Sequence, residues 1–407
     1  MSSLPRIAAL PQGPFARLAA LLDGIQPGKP PISLALGDPS GTVPQFVQDA
    51  LDASVDSFGN YPAIAGTPDW RQAAADWLNR RFALDGAIDP DTNVLPLNGT
   101  REGLFLALPP FLPETKAGAR PIVAMPNPFY QVYAAAGLVA GAELLYLPAC
   151  KNWGFLPNFR ELPEATLERL AAVYICSPSN PEGGVADEPY WFELFRLAEK
   201  YDFIVLADEC YADIYYTHKI LGNIVPVSPM GALEASNIGW DGFPRLLSFH
   251  SLSKRSGLPG LRSGMVAGDA DLIARLRAFR NVAGPQVPGP ILAASAALWR
   301  DEAHVEANRA AYQARMDAAE QILGNRMRRP DGGFFLWLDV GNGEDFALRL
   351  WREYGVKVLP GAYMGRDTEP GKSQSNPGFS YVRIALVSDL VTIKAALERV
   401  AELLGRT

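Results

Sequence analysis

The chain has 407 residues, 48% of them hydrophobic and 20% charged, with a formal net charge of −7 at pH 7. That length predicts two or three domains around large cores, and the acidic balance argues against a nucleic-acid partner and against a membrane surface. No apolar stretch reaches the ~18 residues of a membrane span.

Taken in order, residues 1–36 are Pro-rich, with apolar residues too often interrupted by Pro and Arg for a secretory signal, so the expected compartment is the cytoplasm. They end in the strand-like run ISLAL, followed by Gly37-Asp38-Pro39. Phe46, Val47, Ala50, Leu51 and Val55 fit one face of a helix between Pro44 and Phe58. After the turn Gly59-Asn60-Tyr61-Pro62, Thr67-Pro68-Asp69 opens a second helix, predicted to run to about Phe82. It has a capping hydroxyl, a proline in the first turn and an acid at the positive end of the dipole.

The middle alternates short apolar runs with helical patterns. Residues 94–97 lead into Asn98-Gly99-Thr100-Arg101, and 121–125 into Pro126-Asn127-Pro128-Phe129-Tyr130. Residues 171–176 end at Ser177-Pro178-Ser179-Asn180-Pro181, 203–207 at Asp208-Glu209-Cys210-Tyr211, and 246–249 at a Gly/Pro-rich loop containing Lys254. Continuous apolar strands separated by helices predict an α/β fold whose mostly parallel sheet is buried on both faces. Polar residues recur just past the carboxyl ends of these strands, where open α/β sheets bind ligands.

A helix is expected over 269–282 and a long helical region from about 290 to 323, broken near Asp301. Strands at 331–340 and 379–386 and helices at 344–354 and 390–405 then suggest a smaller α/β domain. The expected division is 41–290 for the large domain and 1–40 with 291–407 for the small one, with residues 364–378 the most loop-like stretch.

The chemistry gathers in residues 248–268, SFHSLSKRSGLPGLRSGMVAG. One amine, Lys254, stands among the hydroxyls Ser251 and Ser253, with Arg262 eight residues further on. A lysine in such a loop is ordinarily just solvated; here it is in the company that a phosphate-bearing aldehyde needs, an amine for a Schiff base and hydroxyls with a cation for the phosphate. Asp208 is either a helix cap or the partner of a pyridinium nitrogen. Tyr211 could donate to a phenolate oxygen, and Asn180 is either an ordinary turn residue or a second such donor. Gly99-Thr100-Arg101, where a strand hands over to a helix, suits an anion. Tyr130 is either core or a lid on a flat ring. Arg383, inside the apolar run FSYVRIAL, is either in a structural ion pair or a bidentate clamp for a carboxylate. The histidines, His218, His250 and His304, have no metal-ligand or triad neighbour in sequence, and Cys150, Cys176 and Cys210, each in or beside an apolar run, read as reduced packed thiols.

The ordered set LALGDPS, NYPAIAGTPDWR, NGTREGL, PNPFYQVY, CSPSNPEGG, ADECYADIYY, SFHSLSKRSGLPGLRSG and YVRIAL resembles the aspartate-aminotransferase-like (class I/II) pyridoxal-phosphate enzymes of fold type I, from about residue 30 to the C-terminus. The resemblance implies that Lys254 holds the cofactor aldehyde and moves the proton. It implies that Asp208 pairs with the ring nitrogen, Asn180 and Tyr211 with the ring oxygen, and that Tyr130 stacks on the ring. Gly99, Thr100, Arg101, Ser251, Ser253 and Arg262 would cup the phosphate, Arg383 would grip the substrate carboxylate, and Gly37 would close over it. Tyr61 would reach the partner subunit's phosphate, which implies a homodimer with sites at the interface.

Within the family, residues 176–187 and 251–269 look most like the N-succinyldiaminopimelate aminotransferases of bacterial lysine biosynthesis, with glutamate and 2-oxoglutarate as the other pair. Arg255, Arg366 and Lys29 are candidate cations for the succinyl carboxylate. Other readings are an aromatic, alanine or acetylornithine aminotransferase, a C–S lyase on the same cofactor, or a cofactor-binding regulator. The regulator is disfavoured by the acidic charge and the lack of a DNA-binding segment.

Overall fold

The computed structural model describes residues 12–39, 41–218, 222–223, 225–235 and 242–406; the expectations placed on residues 1–11 and on Ser40 lie outside that range. Its centre is a seven-stranded sheet in the order Val94–Leu97, Gly264–Gly268, Leu246–Ser251, Ile204–Asp208, Leu170–Cys176, Ile122–Asn127, Glu143–Pro148. Gly264–Gly268 is antiparallel to both its neighbours, and the other pairs are parallel.

The continuous apolar runs have a simple cause: successive side chains point to opposite faces, and both faces are covered. Val173, Ile175, Val205, Ala207 and Met265 enter one core, where Trp77, Trp191 and Trp299 lie. Their alternates Ala172, Tyr174, Leu206 and Val266 enter another, with Leu104, Tyr133 and Ile273. The helices Pro68–Phe82, Glu188–Tyr201 and Gly289–Arg300 supply the first set of partners, and Thr100–Leu106, Gln131–Ala140 and Ala270–Ala283 the second. Pro68–Phe82 starts as its sequence predicts, with the Thr67 hydroxyl accepting from the Trp70 N–H at 3.2 Å.

A second, three-stranded antiparallel sheet places Tyr381–Ala385 between Phe335–Asp339 and Leu359–Pro360. The helices Ala303–Leu323, Gly343–Tyr354 and Leu390–Leu404 contribute Met316, Leu350 and Leu397 to its core. The chain start joins this part: Ile32–Ser33 pairs in parallel with Val356–Lys357, and the Ala385 N–H donates to the Leu34 carbonyl at 2.8 Å. Cys176 and Tyr211, at strand ends of the large sheet, belong to the same core as Phe334 and Phe335. The seam between the sheets therefore runs past the carboxyl ends of the parallel strands.

Three local outcomes differ from the sequence expectation. The Pro-rich start contains a helix, Pro14–Leu22, whose Leu18 and Leu22, one turn apart, pack on Leu359, Tyr363 and Met364; its proline stands in the first turn, where no N–H is required. The helix expected between Pro44 and Phe58 is Gln45–Ala53 followed by a 3₁₀ turn, Val55–Gly59. There the Ser54 hydroxyl donates back to the Ala50 carbonyl at 2.5 Å, a local bond that competes with helix continuation. Glu143–Pro148 is a strand that periodicity does not announce, because it is a partly exposed edge paired on one side only. The break near Asp301 is present, with the Asp301 carboxylate accepting the His304 N–H at 2.9 Å as the next helix begins.

Leu206 is fully buried in the middle of its strand. Leu206→Ala is expected to cost ~2–5 kcal/mol. In urea this appears as a lower midpoint with an unchanged slope, whereas a shift below about 1 kcal/mol would mean that the core collapses around the gap.

Candidate active site

A cavity of about 470 Å³ opens on this seam. Of the residues singled out from the sequence, Gly37, Thr100, Arg101, Tyr130, Asn180, Asp208, Tyr211, Ser251, Ser253, Lys254, Arg262 and Arg383 all line it. The parallel sheet brings them together: Asp208 and Ser251 are the last residues of adjacent strands, and Asn180 and Tyr211 follow strand ends within four residues.

Lys254 lies on the one-turn helix Leu252–Arg255, capped by the Ser251 hydroxyl, which accepts from the Ser253 N–H at 3.2 Å. Its Nζ donates to the Gly37 carbonyl at 2.7 Å and stands 5.4 Å from the centre of the Phe334 ring. Burial brings the amine down to about 8, assisted by the positive charge of Arg383 and opposed by Asp38 and Asp208. Asp208 is buried; its Oδ2 accepts the Tyr133 hydroxyl at 2.6 Å and its Oδ1 the Cys210 N–H at 3.2 Å. Desolvation raises this carboxyl, so a cation set against it would be drawn to it and return it to the ionised form.

Arg383 comes from the middle strand of the small sheet. One Nη donates to the Asn180 Oδ1 at 3.1 Å, the other to the Ala35 carbonyl at 2.8 Å, and the guanidinium lies 4.3 Å over the Phe335 ring. Its Nε has no partner, and among the described residues no carboxylate lies within 4.0 Å of it. The structural ion pair considered from sequence is therefore not formed. Burial lowers its pKa to about 10, and an incoming anion would relieve that cost. Asn180 also donates to the Tyr211 hydroxyl at 3.3 Å, so one amide links the guanidinium to the phenol.

Hydroxyls and cations meet elsewhere along the lining. The Thr100 hydroxyl lies 3.0 Å from the Cys210 sulfur, and Arg262, in a left-handed conformation, donates to the Asn98 and Pro259 carbonyls at 3.3 and 3.0 Å. Gly99 does not line the cavity but makes room for it: its φ is +88°, and a Cβ there would collide with the Arg262 guanidinium. Arg101 donates to the Tyr130 hydroxyl at 2.5 Å. These groups fit pyridoxal phosphate: a shielded amine for its aldehyde, a buried carboxylate for its ring nitrogen, a phenol and amide for its ring oxygen, and three hydroxyls with arginines for its phosphate.

Other candidates fall elsewhere. Tyr61 is 98% exposed and does not reach the cavity of its own chain. Arg255 is excluded as a substrate cation: it is buried, 3.1 Å from Asp213 and 2.6 Å from Glu302, with its guanidinium facing the Trp77 and Trp299 rings. Lys29 pairs with Glu402 at 3.5 Å and lies over Tyr354, on the core of the smaller sheet. Arg366 lines a neighbouring cavity. Sequence reading missed Tyr133, Cys176 and Cys210, which line the site, although Tyr133 follows Tyr130 at the i+3 spacing that puts two residues on one helical face. His250, neutral because burial lowers its pKa to about 3, packs edge-on to Trp77 and hydrogen-bonds Ser248 at 2.9 Å, outside the cavity.

The Lys254 amine yields a pH prediction. The neutral form is the nucleophile, and it predominates above about pH 8 instead of above the ordinary 10.5. Attachment of pyridoxal phosphate to cofactor-free protein, followed by absorbance, is expected to accelerate as pH rises through about 8 and then level off. A rise centred near the ordinary lysine value would show that the amine is not desolvated.

The model of "Aminotransferase class I and II" matches residues 29–400. An LL-diaminopimelate aminotransferase of Dehalococcoides mccartyi is 32% identical over 391 residues, 94% of this chain and 93% of that one. A 4-dedimethylamino-4-oxo-anhydrotetracycline transaminase of Streptomyces rimosus is 34% identical over 388 residues, covering 94% and 95%. Among solved structures, an aminotransferase of Neisseria meningitidis superposes with a TM-score of 0.90 at 40% identity, covering 99% of this chain and 100% of that one. With a family model spanning nearly the whole sequence and a lysine, a carboxylate and a guanidinium converging on one cavity, this chain belongs to the class I and II aminotransferases, enzymes that work with pyridoxal phosphate.

Proposed function

We propose that this aminotransferase acts on N-succinyl-L,L-2,6-diaminopimelate, with glutamate and 2-oxoglutarate as the other pair. The observation that carries an amino-acid substrate is the buried Arg383 guanidinium, with a free Nε, on the cavity that also holds Lys254. Support for the diaminopimelate skeleton comes from relatives of about one-third identity named as LL-diaminopimelate aminotransferases. Their name also favours a second reading, in which the free diamine is the substrate. The tetracycline-type relative at 34% shows why identity at this level leaves the substrate to be measured.

Bound pyridoxal phosphate supplies an aldehyde that exchanges amines and a ring that accepts electrons from the substrate Cα. The protein supplies the remainder. Arg383 takes the α-carboxylate through paired N–H donors, and Asn180 and the Ala35 carbonyl fix the plane of the guanidinium. Lys254, once released, is the general base and acid. Its lowered pKa lets it accept a proton from carbon and return it near neutrality. Asp208, oriented by the Tyr133 hydroxyl and the Cys210 N–H, holds positive charge on the ring nitrogen. Tyr211, tied to Asn180, donates to the ring oxygen. Thr100, Ser251, Ser253, Arg101 and Arg262 would form the phosphate cup, with Gly99 leaving room for the Arg262 guanidinium, and Tyr130 would cover the ring.

The same reading makes the enzyme a homodimer, with Tyr61 reaching the partner's phosphate; the exposure of Val55 and Phe58 on the turn Val55–Gly59 and of Tyr61 just past it supports it. It takes 41–290 as the cofactor-holding domain and 1–40 with 291–407 as the smaller one. The cytoplasm is its compartment; no helix among the described residues is long and apolar enough to cross a membrane.

Arg383→Lys is expected to weaken glutamate binding by ~2–4 kcal/mol, because an ammonium cannot reproduce the fork. An unchanged KM for glutamate would remove Arg383 from the site. The substrate is tested by single half-reactions, mixing the cofactor-loaded enzyme with each amino acid and following its spectrum. Fast conversion by N-succinyl-diaminopimelate and glutamate is expected. Fast conversion by free LL-diaminopimelate alone selects the second reading, by N-acetylornithine or aromatic amino acids another aminotransferase, and pyruvate with ammonia from a sulfur amino acid a lyase.

A further inference from the structure

Beside the cofactor cavity lies a second one of about 860 Å³, lined by neighbouring residues of the same two segments. Pro14 and Phe15 of the N-terminal helix line the first, and Arg17 and Leu21 of the same helix line the second. Met364 lines the first, and Gly365 and Arg366 the second. An amino acid held at its α-carboxylate in the first cavity, with a chain of several carbons, would extend into the second.

Arg366 is placed there by a deliberate-looking clamp. Asn127, the fully buried last residue of its strand, spends its whole side chain on the Arg366 backbone. Its Oδ1 accepts the Arg366 N–H at 2.9 Å and its Nδ2 donates to the Arg366 carbonyl at 2.9 Å. The Phe129 N–H donates to the Met364 carbonyl at 3.1 Å, fastening the same loop a second time. Burying an amide to satisfy both backbone groups of one residue fixes where that residue's side chain begins.

The side chain itself has no counter-ion among the described residues. Its guanidinium lies 5.3 Å from the centre of the Phe129 ring, which walls the cofactor cavity, and beside the Tyr146 hydroxyl. It donates to the carbonyl of its own neighbour Gly365 at 3.2 Å, and among the described residues no carboxylate lies within 4.0 Å of it. The acids of this cavity are engaged elsewhere: Glu344 with the Tyr363 hydroxyl, Asp345 with Arg349 at 4.0 Å, and Asp367 with the Asn376 amide at 3.4 Å.

We propose that Arg366 is a specificity-determining residue that receives the far-end carboxylate of a long diacid amino acid whose α-carboxylate is held by Arg383. This deepens the proposed function and rests on it for the identity of the acid. The carboxylate on the distal carbon is common to free and N-succinylated diaminopimelate, so the assignment is the same for both.

The test uses the cofactor-loaded enzyme with 2-aminopimelate and its uncharged ω-amide, which differ only at the far end, and reads the ratio of their kcat/KM values in the half-reaction. The wild type is expected to prefer the carboxylate, and Arg366→Ala and Arg366→Gln to reduce that preference by ~10-fold or more, the worth of a charge-assisted hydrogen bond. Arg366→Lys, which keeps the charge but not the fork, is expected to restore part of it. A wild type with no preference overturns the proposal, and so does a preference that survives in both variants, including one in which both rates fall together. If the preference and its loss are seen but neither form of diaminopimelate is converted, the distal contact stands and the substrate reading alone falls.

Discussion

A guanidinium buried without a counter-ion is among the more expensive things a fold can hold, and the arrangement of this molecule follows from how Arg383 is held. It rises from the middle strand of the small sheet, rests on Phe335 and hydrogen-bonds to Asn180 past a strand end of the large sheet. Ala35, in the chain's entry segment, accepts its other donor. Three stretches far apart in sequence are thus joined by one side chain, whose Nε is left without a hydrogen-bond partner. The proposed function sets the substrate carboxylate at that place.

Behind the cavity a second ionic cluster does quieter work. Arg255, the residue after Lys254, is buried against Asp213, and Asp213 also takes Arg81 at 2.8 Å. The strand-to-helix turn carrying the lysine is thereby tied to the segment carrying Asp208 and Tyr211. A buried pair of this sort is weak evidence for net stability, but losing one partner would strand the other's charge. Its geometric effect is to keep the lysine helix, only one turn long, from wandering.

Much of this could be read from residue order. The parallel sheet was legible because strands covered on both faces have no polar alternates, so runs such as LAAVYIC are continuous. The lysine, the aspartate and the asparagine stood out because polar residues immediately past such runs collect at one edge of the sheet. Tyr133 did not, since a tyrosine inside an apolar helix reads as packing until its hydroxyl is seen on Asp208. Arg255 misled for the converse reason: its position beside the lysine is a fact of sequence, but strand and helix geometry turns it to the opposite side. The helix at Pro14–Leu22 and the edge strand Glu143–Pro148 owe their form to tertiary partners, and short, half-exposed segments carry little periodicity of their own.

Sequence by itself determined the family, the α/β architecture and the residue types available for the chemistry, because each is written in local order and spacing. Only the tertiary structure decided which charges are free. Arg383 and Arg366 have no carboxylate among the described residues, while Arg255 and Lys29 have theirs. Pairing depends on distance in space, and chain order does not encode it: Arg383 meets an asparagine 203 residues away, and Arg366 is clamped by one 239 residues away.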